Sequence, residues 1–226
     1  MEAKGEIRIL AAGFGSFPGA RFNPAEAIVD RLSRAARSMR SRLGVNLASA
    51  VLPVVWDGAQ ERVRDLIVRN RPDVLLLIGL AGRRCALSVE TRARNKMSPL
   101  KPDAGKRMAA AVQIEAGARP FRSARLPIAA VVAALSRAGV RAQASIEAGD
   151  YLCNQTFYLA LGRQTRWVGF VHLPPARDPF SPLSRRPGAG ARFSVDEMAR
   201  ALLAVLPALA ARARLSRRTE EGKIAA

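Results

Sequence analysis

Histidine is almost absent from this sequence: one residue, His172, stands alone among 226. That excludes zinc sites built on several Cys and His ligands, and any chemistry that needs an imidazole must use this one position. Cysteine is nearly as scarce, with only Cys85 and Cys153 present. Two thiols far apart in the chain make no disulfide framework, and both are expected to be reduced, as in a cytoplasmic protein. Aromatic residues make up 5% of the chain, little material for stacking nucleic-acid bases. No apolar run is long enough to span a bilayer, the longest candidate being "ALLAVLPALAA". The opening "MEAKGEIRILAAG" has an acidic second residue and runs into a glycine-rich loop, unlike a secretion signal. The expected location is therefore the cytoplasm, with no membrane partner.

What the chain has in excess is positive charge, a formal +19. Such a balance raises nucleic-acid binding as a rival function. The arginines, however, recur along the whole length without a block, which argues for a solvated basic surface and against a nucleic-acid partner. The 49% hydrophobic content is enough for one full core, and no linker divides the chain. We expect a single domain over about residues 1–215 and a flexible basic tail over 216–226.

Apolar runs alternate with amphipathic segments. "IRILAAG" reads as a strand entering "GFGSFPG"; then Asn23 is a good N-cap, Pro24 fits the first helical position and Glu26 stands where a capping box wants a carboxylate. Ala27, Ile28 and Leu32 make the inner stripe of that helix, and Arg31, Arg34 and Arg37 its wet side. A strand near "NLASAVLPVVW", a helix from about Asp57 to Asn70 and the buried strand "PDVLLLIGL" follow. Next come a strand around "ALSVETRA", a polar stretch from about 96 to 122, the helix "PIAAVVAALSRAG" and a strand near "RAQASIE". A helix from about Tyr151, the strand "RWVGFVHLP" and a Ser194-capped helix complete the chain. This order predicts an α/β fold, a twisted, mostly parallel sheet with helices on both faces. Ligand sites in such folds gather at the carboxyl ends of strands, where "GFGSF", "GLAGRR" and "HLP" fall.

"GDYLCNQTFY" places Cys153 where a helix begins. Free N–H groups there favour an anion, so a thiol at that point is expected to ionise readily. His172 closes a buried strand just beyond, and Glu90 is a carboxylate in an otherwise apolar and basic segment. Each has a plainer explanation: buried packing for the cysteine, a satisfied core histidine, a salt-bridge partner for the glutamate. Spacing alone leaves these alternatives open.

The motifs around these residues narrow the choice. "AGFGSFPGARFNP" resembles the opening of the pyroglutamyl peptidase I family, with Gly13, Phe14, Phe17, Gly19, Asn23 and Pro24 in register. "GLAGRRCALSVETRARN" is similar to the segment that carries that family's catalytic glutamate, matching at Gly79, Ala81, Gly82, Arg84, Glu90 and Asn95. "AGDYLCNQTFY" is similar to its nucleophile segment, "GFVHLP" to its histidine segment, and "LPI" at Leu126–Ile128 to a further short element. The four main motifs occur in family order from about residue 7 to 175.

The resemblance implies a phosphorylase/hydrolase-like fold and a cysteine exopeptidase that removes N-terminal pyroglutamate from peptides, without cofactor or metal. It implies Cys153 as nucleophile, His172 as general base and then acid, and Glu90 as the group that orients His172. It places Phe14, Phe17 and Tyr151 around the lactam ring. The oxyanion donor is expected at the Cys153 amide, with help from the loop at Arg83 and Arg84. A homo-oligomer is a further expectation.

Several residues depart from the family pattern. Leu80 and Arg83 replace a glutamine and a glycine, and Asp150 replaces a threonine, serving as an alternative N-cap whose charge opposes thiolate formation. The segment after Glu90 bears little likeness to the family's. Two alternatives follow: the same triad acting on another small N-acyl or lactam amide, or a noncatalytic basic protein that binds a polyanion. Cys85 has no family role and is expected to be a small packed residue.

Overall fold

The computed structural model describes residues 6–18, 20–176 and 193–224, with side chains through 219. In chain order the elements are β1 (Ile7–Phe14), α1 (Pro24–Leu43), β2 (Val45–Leu52), α2 (Trp56–Asn70), β3 (Val74–Leu80), β4 (Leu87–Glu90) and β5 (Arg92–Arg94). They continue with β6 (Phe121–Ser123), α3 (Ile128–Arg137), β7 (Ala142–Ser145), α4 (Leu152–Leu161), β8 (Trp167–Leu173) and α5 (Val195–Ile224).

Six strands form one sheet in the order β2-β1-β3-β8-β4-β7. β1 pairs in parallel with β2 and β3, and β3 with β8, whereas β4 runs antiparallel to β8. The mostly parallel sheet is thus as expected. The small antiparallel β5–β6 pair was not foreseen; three-residue strands leave too short a pattern to detect.

Alternation along the central strands sends side chains to two separate cores. Ile9, Ala11, Leu76 and Ile78 face α1, α3 and α5, packing with Ile28, Leu32, Leu135, Leu202 and Leu206. Leu10, Ala12, Leu75, Leu77 and Phe170 face α2 and α4, packing with Val63, Leu66, Leu152 and Phe157. Burial on both sides explains why β3 reads as an unbroken apolar run.

Local capping accounts for the helix ends. Asn23 Oδ1 accepts from the Ala25 N–H at 3.0 Å, and Gly44 ends α1 in the left-handed region at φ 56°. Ser194 Oγ accepts from the Glu197 N–H at 3.2 Å, while Glu197 accepts from the Ser194 N–H at 2.7 Å, a reciprocal capping box. Glu26 does not complete such a box at α1. Its Oε2 instead accepts from the Ser16 N–H and hydroxyl, both at 2.8 Å. With the Asn23 amide donating to Gly15 O at 2.9 Å, this ties the glycine-rich loop to the start of α1.

The expected flexible tail is helical through Ile224. Pro207 removes one rung of α5 on its exposed side, and burial of the opposite face carries the helix past it. Beyond Leu215, Arg217 fastens the helix to Asp73 at 2.5 and 3.0 Å and to Glu6 O at 3.0 Å. Gly19 and residues 177–192 lie outside the described residues.

Candidate active site

The sheet order itself assembles the three candidate residues. β3, β8 and β4 are adjacent, and Gly79 on β3 pairs directly with His172 on β8. Ser88 on β4 lies opposite His172, so Glu90, two residues on, is its diagonal neighbour on the same face. α4 crosses that face and brings Cys153 down onto Gly79. A Cβ at position 79 would lie 2.8 Å from Cys153 Sγ and 2.8 Å from Phe170 Cζ, so only glycine leaves room for the thiol. Cys153 over β3, His172 on β8 and Glu90 on β4 therefore follow one another across the sheet.

Glu90 is fully buried, and its Oε1 is 2.7 Å from His172 Nδ1 and 2.6 Å from Arg84 Nη1. Burial alone would raise its pKa, but the His172 hydrogen bond and charge and the Arg84 charge outweigh it and hold the carboxyl below its ordinary range. An ionised Glu90 can only accept, so Nδ1 carries the proton and Nε2 presents a lone pair.

Burial lowers the His172 pKa, opposed by the Glu90 hydrogen bond and charge and assisted by Arg84. At Cys153, burial and then the Glu90 charge push the thiol up to about 12, against the smaller lowering effects of its own backbone N–H and Arg84. The resting pair is thus a neutral thiol beside a neutral imidazole. The helix start does not produce the expected ready thiolate, because desolvation outweighs the terminal N–H groups.

α4 begins without a side-chain cap. Its N-cap residue is Tyr151, whose side chain makes no cap bond, and among the described residues no side chain bonds the N–H groups of the first turn. Asp150 does not cap the helix as expected; its carboxylate is held by Lys101 at 2.5 Å. Arg84, on the loop expected to help the oxyanion, has its side chain engaged with the carboxylate. Its two ends bond Glu90 and the Glu147 carbonyl, so it serves the carboxylate. Arg83 is exposed on the same turn. Cys85, expected to be packed, is exposed as well.

The three aromatic candidates separate. Phe14 is buried in the core beneath the α2 and α4 face. Phe17 and Tyr151 line an open cleft of about 460 Å³ together with Leu100, Pro102 and Lys106. The Tyr151 hydroxyl donates to Pro102 O at 2.9 Å, and its ring meets Trp56 edge-on with centroids 5.0 Å apart. The cleft wall thus comes largely from the segment after Glu90, where neither periodicity nor likeness to a family gave a signal. That segment is fixed from below: the Asn154 side chain accepts from the Arg94 N–H and donates to the carbonyls of Arg94 and Lys96, each at 2.8 Å. Trp56 and Asn154 gave no sign in the sequence beyond their aromatic or polar type, because each acts across the fold. Among the described residues no His, Cys, Asp and Glu cluster could hold a metal ion, and no helix is long and apolar enough to cross a membrane.

An α/β sheet that sets a thiol beside an imidazole fixed by a buried carboxylate defines a cysteine-type hydrolase. A family model described as pyroglutamyl peptidase matches residues 7–203. The pyrrolidone-carboxylate peptidase of Gloeobacter violaceus is 34% identical over 172 residues, which span 74% of this chain and 82% of that protein. That of Thermococcus onnurineus is 35% identical over 174 residues, spanning 74% and 84%. The crystal structure of Bacillus amyloliquefaciens pyroglutamyl peptidase I aligns with a TM-score of 0.80 at 26% identity, over 91% of this chain and 98% of that one. The chain belongs to the pyroglutamyl peptidase family of cysteine peptidases.

Proposed function

We propose that this protein is a cysteine exopeptidase that removes N-terminal pyroglutamate from peptides, with Cys153, His172 and Glu90 as its catalytic residues. The observation that carries the assignment is their alignment across β3, β8 and β4, with His172 Nδ1 held by the buried Glu90 carboxylate.

Substrate enters with its lactam ring against Phe17 and Tyr151. As Cys153 Sγ attacks the carbonyl that follows the ring, His172 Nε2 takes the thiol proton, and Glu90 stabilises the imidazolium so formed. A thiol held near 12 at rest limits ionisation outside this step. The N–H groups at the uncapped start of α4 are the donors for the developing oxyanion. His172 then protonates the departing amine, leaving a pyroglutamyl thioester on Cys153. Water, deprotonated by the same imidazole, attacks the thioester; pyroglutamate leaves and the thiol is restored.

Free thiols at positions 85 and 153 suit a cytoplasmic enzyme, and assembly into a homo-oligomer is part of the proposal. The test is release of a fluorescent amine from a pyroglutamyl amide under reducing conditions, with an unblocked amino-acid amide as control. The wild type is expected to cleave only the first, and Cys153→Ala neither. A folded wild type that ignores the pyroglutamyl amide but cleaves another N-acyl amide would replace the substrate and keep the triad.

A further inference from the structure

The cleft beside the triad carries a positive charge that the chemistry above does not use. Three cations lie on its wall or turn, and two are matched. Lys101 is paired with Asp150 at 2.5 Å. Arg107 lies 3.9 Å from Asp103, whose fully buried carboxylate also accepts from the Trp56 N–H at 3.1 Å and the Arg107 N–H at 2.9 Å. Lys106 lines the cleft, is exposed, and has no carboxylate partner among the described residues.

Its backbone is also unusual. Lys106 has φ 64°, in the left-handed region that side chains other than glycine seldom adopt. The turn that imposes this conformation is closed twice, by the Lys106 N–H on Asp103 O at 3.0 Å and the Asp103 N–H on Arg107 O at 2.8 Å. Strain held in place by surrounding bonds is a mark of functional positions. Here it fixes the one unmatched lysine on the wall shared with Phe17 and Tyr151.

A cleft of about 460 Å³ has more room than a single five-membered lactam uses. Resting on the pyroglutamyl reading, we propose that Lys106 selects peptides with a carboxylate side chain shortly after the pyroglutamyl residue. The ring itself is neutral and makes no use of the charge. A carboxylate on the following residues would do so, with the apolar Leu100 and Phe17 taking its methylenes.

The test compares kcat/KM for pyroglutamyl-glutamyl and pyroglutamyl-glutaminyl amides, which match in size and differ in charge. A charge pair at roughly 6 Å in a solvated cleft predicts a preference of about threefold for glutamate. The preference should shrink between ~0.05 M and ~0.5 M salt. Lys106→Gln should abolish it and Lys106→Glu reverse it, with thermal melting of both variants to verify folding. Equal rates on the two substrates in a wild type that cleaves both would overturn the inference and leave the pyroglutamyl activity standing. A preference that survives Lys106→Gln would also overturn it, by assigning the selection to another cation. Cleavage of neither peptide would overturn both proposals.

Discussion

At the scale of the residue, the site is a chain of paired opposites. Arg84 and His172 share one oxygen of Glu90, so the carboxylate is both ionised and held still. Glu90→Gln would keep the shape and remove the charge that stabilises the imidazolium. We predict a fall in kcat on the order of 10³- to 10⁴-fold with a smaller change in KM, read from steady-state kinetics on a pyroglutamyl amide. The same groups set a pH window for stability. His172 and Glu90 have native pKa values lowered from 6.5 and 4.5, so their contributions are present above those values and are lost as pH falls through the native ones. Cys153, raised from 9.0 to about 12, acts in the opposite sense: its contribution is full below 9 and is lost as pH rises toward 12. Melting temperature should therefore be highest between about pH 6.5 and 9. In Cys153→Ala the alkaline decline should be shallower, though not abolished, since Tyr151 is also raised to about 12. An alkaline limb as steep in the variant as in the wild type would contradict the thiol's share.

At the scale of the element, two contacts decide whether α4 delivers its cysteine. The first is the bare surface of β3 at Gly79. Gly79→Ala would place a methyl group 2.8 Å from Cys153 Sγ and from Phe170 Cζ. It should cost about 1–3 kcal/mol in denaturant unfolding and remove most activity, because α4 must lift. The second is Asn154, whose amide bonds three backbone groups of the segment after Glu90. Asn154→Ala should destabilise by roughly 3 kcal/mol, the result of leaving several buried polar groups unpartnered. Local signals made these elements legible: Asn23 with Pro24, Ser194, and the apolar run of β3 all mark what they were expected to mark. The role of Glu26 was not legible, because its choice between the Asn23 amide and Ser16 depends on how the preceding loop folds back. The same holds for Asp150 and Arg84, whose partners Lys101 and Glu147 are brought close only by the fold.

At the scale of the whole molecule, the register of a mixed sheet converts four separated motifs into one site. The motifs and their order could be read along the chain; that β4 runs antiparallel beside β8, so that Glu90 reaches His172 diagonally, could not. Tertiary bonds also extend the ordered chain. Arg217 joins α5 just beyond Leu215 to Asp73 and to the entry of β1. A chain ending at Leu215 should melt at a lower temperature than the full chain, and Arg217→Ala should account for about 1 kcal/mol of the loss. Equal melting curves would return this segment to the status of a dispensable tail.

The central claim is that a thioester forms at Cys153, and intact-protein mass spectrometry during turnover of a pyroglutamyl ester tests it most directly. The account predicts a transient gain of one pyroglutamyl group, mapped by digestion to the peptide holding Cys153 and absent from Cys153→Ala. Acylation at Cys85, or undiminished turnover by Cys153→Ala, would contradict it.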